Sequence, residues 1–277
     1  MSADPRERWV VLGGQVVAVD EARIDPRDPA VTGGAALLET FAVVGGSALL
    51  FEQHLERLNR SEAELGWART PAAAVRGGIE GLLAACGVDS GALRLVRSPG
   101  PPGGPDTVLL GLRALPEPPA EGLDLVVDDG TWAAPSGFDG HKHTGRLART
   151  LLRERARQRG AWDALLVGRD GAVLEATCAN LVVVGRDGLV RTPPLEHGVL
   201  PGVVRQILVD AGEVQEGRLL VSHLSDAREV LLTSSLIGCR GARRLFAGPQ
   251  GPKRELPGAE GSVAIRLRAR LGVRVPG

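Results

Sequence analysis

Lysine is nearly missing from this chain. Of 33 basic residues only Lys142 and Lys253 are lysines, and the rest are arginines. Arginine replaces lysine as a solvated cation, but its pKa is too high for it to supply a neutral amine. A lysine kept against that bias is a candidate for amine chemistry, in which a nitrogen must be able to shed its proton. Lys142 lies in Gly140-His-Lys-His-Thr-Gly-Arg-Leu147, with Arg146 and two histidines near it in sequence. Lys253 sits in Gly251-Pro-Lys-Arg254, a polar turn with no partner motif, and reads as solvated. Cys178 with His141 or His143 suggests a thiol pair, yet no local signature surrounds them; a small buried cysteine is the plainer reading.

The elements that must position these groups are legible in part. Trp9–Leu12 and Gln15–Val19 flank Gly13-Gly14, and Thr40–Val44 and Ser47–Phe51 flank Gly45-Gly46, as two hairpins do. A helix is expected from His54 to Leu65. A second has Thr70 as N-cap, Pro71 at its first position and Gly87 beyond its end, with Val75, Ile79, Leu82, Leu83 and Cys86 on one face. Strands Ala92–Arg97 and Thr107–Arg113 flank a Pro-Gly loop. Pro116-Glu-Pro-Pro-Ala-Glu-Gly122 reads as a linker, since closely spaced prolines hold the chain extended.

Beyond it come a strand near Leu123–Val127, a loop ending at Gly140 and a helix from about His143 to Arg159. Short strands follow at Ala164–Val167, Leu181–Val184, Leu189–Arg191 and Val230–Leu232. Gly202 opens a helix, and a last helix aligns Val263, Leu267 and Leu271. The expectation is an α+β chain of two domains: a small one at 1–115, a linker at 116–122 and a larger one at 123–277 carrying Lys142.

In order, the Lys142 segment, Leu174-Glu-Ala-Thr-Cys-Ala-Asn-Leu181, Pro193-Pro194, Leu200-Pro-Gly-Val-Val-Arg205 and Leu232-Thr-Ser-Ser-Leu-Ile-Gly238 resemble the fold-type IV pyridoxal-phosphate enzymes. That family holds the branched-chain and D-amino-acid aminotransferases and 4-amino-4-deoxychorismate lyase. Leu38-Glu-Thr40 and His54-Leu-Glu-Arg-Leu58 also fit, so the likeness runs from about residue 33 to 240. It implies pyridoxal 5'-phosphate as cofactor and Lys142 as the Schiff-base lysine. Glu175 matches the glutamate that pairs with the pyridine nitrogen, and Asn180 a residue that supports it by hydrogen bonding. Arg57 matches the phosphate-binding arginine. Val203 and Val204 at a helix start would add main-chain N–H groups, and Ser234 and Ser235 amide and hydroxyl contacts. The resemblance also implies a homodimer. Arg97, at a strand end, is a candidate for a substrate carboxylate.

Departures from the family pattern narrow the activity. The chain has no tyrosine, so Arg146 or water must serve the ring hydroxyl where aminotransferases use one. The family often has threonine where Val204 stands, and Lys142-His-Thr-Gly145 lacks the asparagine of the Lys-x-Leu-Asn form. The loop after Arg97 has no Arg-x-His clamp, against a D-amino-acid transaminase. Thr233-Ser-Ser-Leu-Ile-Gly238 resembles the Asn-Ser-Leu-x-Gly turn of the lyases. The expected activity is release of 4-aminobenzoate and pyruvate from aminodeoxychorismate, in folate or secondary metabolism. The alternatives are an aminotransferase on the same scaffold and a cofactor-free binding protein.

Composition sets outer bounds. A length of 277 residues, 43% hydrophobic, suffices for one large or two small domains. Thirty-three basic residues balance thirty-three acidic ones, which argues against nucleic acid or a membrane surface as partner. Without an apolar span or leader the expected location is the cytoplasm. Three scattered cysteines, Cys86, Cys178 and Cys239, suit neither a disulfide framework nor a zinc site.

Overall fold

The computed structural model describes residues 4–128, 132, 140–248 and 251–272. The chain divides into two compact units, Met1–Pro116 with His141–Gly145, and Glu117–Gly140 with Arg146–Gly277. Most of the loop ending at Gly140 lies outside the described residues.

The first unit is an antiparallel sheet of six strands: β1 (Trp9–Leu12), β2 (Gln15–Ala18), β3 (Leu37–Val44), β4 (Ser47–Ala48), β5 (Gly91–Ser98) and β6 (Thr107–Arg113). Their order is β2-β1-β6-β5-β3-β4. Helices α1 (Pro29–Thr32), α2 (Phe51–Glu64) and α3 (Ala72–Cys86) complete it. Phe41, Leu93, Leu95 and Leu110 of the sheet share one core with Leu55 and Leu58 of α2 and Val75, Ile79 and Leu82 of α3.

Two boundaries differ from the expected ones. The strand expected to reach Phe51 stops at Ala48, because Leu50 takes a left-handed φ of 55° and turns the chain into α2. Thr70 does not cap α3; its hydroxyl and N–H both donate to Glu62, and Pro71 is the N-cap instead. Gly87 ends α3 in the left-handed conformation, as a helix C-terminus favours.

The segment bearing Lys142 is the larger correction. Leu38 N–H donates to Lys142 O at 2.7 Å and Thr144 N–H to Ala36 O at 2.9 Å, an antiparallel strip beside β3. Backbone groups used in this way cannot start a helix. Helix α4 therefore spans Leu147–Gln158 rather than starting near His143, and His141–Gly145 groups with the first unit, not the second.

The second unit carries a nine-stranded sheet: β7 (Leu123–Val127), β8 (Asp163–Val167), β9 (Val173–Ala176), β10 (Asn180–Val184), β11 (Val190–Thr192), β12 (Gln215–Glu216), β13 (Glu229–Ser234), β14 (Gly238–Phe246) and β15 (Lys253–Glu255). With it run α4, α5 (Val203–Asp210), α6 (Val221–Asp226) and α7 (Ser262–Leu271). The path β10-β13-β14-β7-β8-β9 returns to β10 through the pair Asn180↔Glu175, so six strands close on themselves. Leu125, Leu165, Leu181, Val230 and Leu232 belong to one buried cluster of these strands. Lys253, expected in a turn, instead lies exposed on the edge strand β15, 3.3 Å from Glu255.

Candidate active site

In the first unit the chemistry gathers at the start of β3 and the inner face of α2. His54 and Arg57, three residues apart on one helix face, both turn to Glu39 of β3. Arg57 Nε donates to Glu39 Oε1 at 2.8 Å and Nη2 to Oε2 at 2.5 Å, while His54 Nδ1 lies 2.7 Å from Oε2. All three side chains are buried. Burial pushes the Glu39 carboxyl up, but the Arg57 charge and the bonds from His54 and Arg57 prevail and hold it at about 2. Burial pushes the His54 imidazole down against the pull of Glu39, and the charges of Arg57 and Lys142 add to the lowering. Lys142 is half-buried, and its charge is felt at His54.

In the second unit the site forms where the ring of strands closes. Glu175, Asn180 and Thr233 are neighbours across β9, β10 and β13. Asn180 Nδ2 donates to Glu175 Oε2 at 3.0 Å and to Leu200 O at 2.8 Å, and Leu200 N–H donates to the same carboxylate oxygen at 3.2 Å. That network carries the chain to Gly202, the N-cap of α5, where a β-carbon would collide with Asn180 Oδ1. Val203 and Val204 form the first turn of α5, and no side chain caps it. Ser234 ends β13 opposite Gly238, with Ser235 next, both half-buried.

Two sequence expectations fail here. Arg97 is 1% exposed, 3.1 Å from Glu62 and 2.7 Å from Asp106, donates to Ala68 O and stacks on Trp67 at 4.8 Å. It is a buried cation inside the first unit, paired with two carboxylates rather than exposed at the strand end. Cys178 is exposed rather than buried, with Arg153 Nη1 3.3 Å from its sulfur. Arg146 donates to Thr177 O at 2.6 Å, and burial lowers its pKa.

The sequence pattern assigns no role to Glu39; its signal is a single carboxylate in the otherwise uncharged Leu37-Leu-Glu-Thr-Phe-Ala-Val-Val44. Arg149 had no signal. Its Nη2 lies 2.8 Å from Glu175 Oε1.

Residues 36–245 match the family model described as amino-transferase class IV. The chain belongs to that family. A bifunctional aminodeoxychorismate lyase / D-amino acid transaminase of Mycobacterium tuberculosis (strain ATCC 25618 / H37Rv) is 29% identical over 82% of this chain and 87% of that protein. A putative aminodeoxychorismate lyase of Schizosaccharomyces pombe (strain 972 / ATCC 24843) is 28% identical over 72% and 85%. Among solved structures, a hypothetical aminotransferase from Mycobacterium tuberculosis in its PLP-bound form superposes with a TM-score of 0.79 at 24% identity, covering 95% of this chain and 97% of that one. The branched-chain amino acid aminotransferase from Escherichia coli gives 0.79 at 21%, covering 96% and 94%. These last two likenesses concern the fold, which is that of the fold-type IV enzymes.

As a class IV amino-transferase family member, the chain is a pyridoxal-phosphate-dependent enzyme, and its donors suit that cofactor. The first unit offers a primary amine and a guanidinium. The second offers a buried carboxylate, an uncapped helix start and two serine hydroxyls. Beside those serines, the buried Thr233 hydroxyl has no hydrogen-bond partner among the described residues. An uncapped helix start and an unmet hydroxyl next to serines are what a phosphate would satisfy. Among the described residues no cluster of three or more His, Cys, Asp or Glu is placed to hold a metal, and no helix is long and apolar enough to cross a membrane.

Proposed function

We propose that the enzyme converts 4-amino-4-deoxychorismate to 4-aminobenzoate and pyruvate. The observation that carries this reading is the commitment of Arg97. The loop from which D-amino-acid enzymes clamp a substrate carboxylate carries no Arg-x-His here, and Arg97 just before it is paired with Glu62 and Asp106. The turn Thr233-Ser-Ser-Leu-Ile-Gly238 supports it further, as do the lyase names of two relatives, one of them also named a D-amino acid transaminase.

Bound pyridoxal phosphate supplies an electron sink for the pair left when a proton leaves the amine-bearing carbon. Lys142 would hold the cofactor at rest and, once the substrate's amino group has displaced it, would take that proton as general base. Glu175, oriented by Asn180, would keep the ring nitrogen protonated. Arg57, the amides of Val203 and Val204, and Ser234 and Ser235 would bind the phosphate. The carbon–oxygen bond to the enolpyruvyl group would then break, the enolate leaving and taking up a proton as pyruvate while the carbocycle becomes aromatic, and Lys142 would take the cofactor back as 4-aminobenzoate leaves. Aromatisation drives the reaction forward, so the protein mainly orients the substrate. A homodimeric, cytoplasmic enzyme is part of the same reading.

The test is a product assay on the purified holoenzyme. Aminodeoxychorismate should yield equal amounts of pyruvate and 4-aminobenzoate, with amino transfer from amino acids to keto acids far slower. Rapid amino transfer with no 4-aminobenzoate would replace the lyase by an aminotransferase, the activity in the name of the Escherichia coli structure.

A further inference from the structure

Glu175 is 2% exposed. Oε2 accepts from Asn180 and from the Leu200 N–H, and Arg149 Nη2 stands 2.8 Å from Oε1 as an ion pair. Oε1 accepts no hydrogen bond among the described residues, so a full positive charge faces this oxygen while its lone pairs stay open. Arg149 is itself held in place. Its guanidinium stacks on Trp132 at 5.0 Å, and Nη1 lies 3.5 Å from Ala176 O. Arg146, the N-cap of α4, and Arg153 within it engage Thr177 O and Cys178 in the same stretch. Helix α4 thus lays cations along residues 175–178.

A carboxylate whose charge is met by a fixed cation gains less from a second positive group, because the two compete for one field. We propose that Arg149 is a positioning residue that sets how strongly Glu175 holds the cofactor's ring nitrogen, leaving a weaker grip than an uncompensated carboxylate would have. The proposal rests on the assignment of Glu175 to that nitrogen.

The test is binding to the full chain freed of cofactor. Two probes are compared, pyridoxamine 5'-phosphate and its 1-deaza analogue, in which a C–H replaces the ring nitrogen. Neither has an aldehyde, so neither bonds to Lys142, and the ratio of their dissociation constants isolates the nitrogen contact. Arg149→Met should raise the preference for the nitrogen-bearing probe about tenfold, the factor corresponding to one pKa unit of differential interaction. Arg149→Lys, which keeps the charge, should stay near the wild-type ratio. Circular dichroism checks that each variant is folded. If Glu175→Gln abolishes the preference while Arg149→Met leaves the ratio unchanged, or tightens both probes equally, the proposal is overturned. If Glu175→Gln keeps the full preference, the assignment of Glu175 itself falls, and the proposal with it.

Discussion

Arg57 and Glu39 meet as a two-pronged pair inside the first unit, Nε to Oε1 at 2.8 Å and Nη2 to Oε2 at 2.5 Å. A forked guanidinium held at two nitrogens has a fixed plane, so the carboxylate of β3 decides where the arginine of α2 can direct its remaining edge. His54 on the same carboxylate stiffens the arrangement.

Removing that carboxylate takes the opposite charge from the buried Arg57, and Glu39→Gln should cost about 3–5 kcal/mol in urea unfolding. The pH dependence follows from the direction of the shift. The Glu39 carboxyl is held at about 2, below its ordinary 4.5, so its contribution is complete above pH 4.5 and is lost as pH falls toward 2. The wild-type chain should lose stability across that window, and the variant should lose less. Parallel curves would mean that the pair is not ionised as described.

Borohydride reduction of the holoenzyme followed by peptide mass spectrometry should place the cofactor on the peptide containing Lys142 and leave Lys253 unmodified. In Lys142→Ala the visible absorption band that borohydride abolishes should be missing while the circular dichroism is kept. Label on Lys253, or an Ala variant turning over at the wild-type rate, would refute the assignment.

Gly202→Ala puts a methyl group against Asn180 Oδ1. Asn180 must then release Glu175 or Leu200, leaving a buried acceptor short of a donor at a cost of about 1–3 kcal/mol. A lower melting temperature and weaker binding of pyridoxamine phosphate are expected together. A loss of stability with unchanged affinity would separate Gly202 from the phosphate site.

Thiol labelling separates the three cysteines. Burial pushes the Cys239 thiol up to about 12 and raises that of Cys86, whereas Cys178 is exposed. Native protein at neutral pH should react quickly at one thiol per chain, and Cys178→Ser should remove that reaction. Two fast thiols would contradict the burial.

Arg97→Met should destabilise the chain by about 3–5 kcal/mol, because it strands Glu62 inside the first unit. Folded variant, assayed well below its melting temperature, should keep the wild-type KM. A large rise in KM would return Arg97 to the substrate.

The family could be read from the chain alone. Lys142 stands out because arginine cannot replace an amine, and with Glu175, Gly202 and Ser234–Ser235 it stands in an order and spacing that mark the class IV family, to which the chain belongs. Glycine pairs and local periodicity located most of the strands and helices, since turn conformation and burial of one face are short-range demands. Folding decided the partners. That Lys142 lies on a strip along β3, that six strands close at Glu175 and Asn180, and that Arg97 is buried while Arg149 meets Glu175, all depend on residues distant in sequence. With nearly every cation an arginine, residue type carries no mark of which one will be buried against which carboxylate. That choice is made when sheets and helices pack and each buried charge must find its opposite.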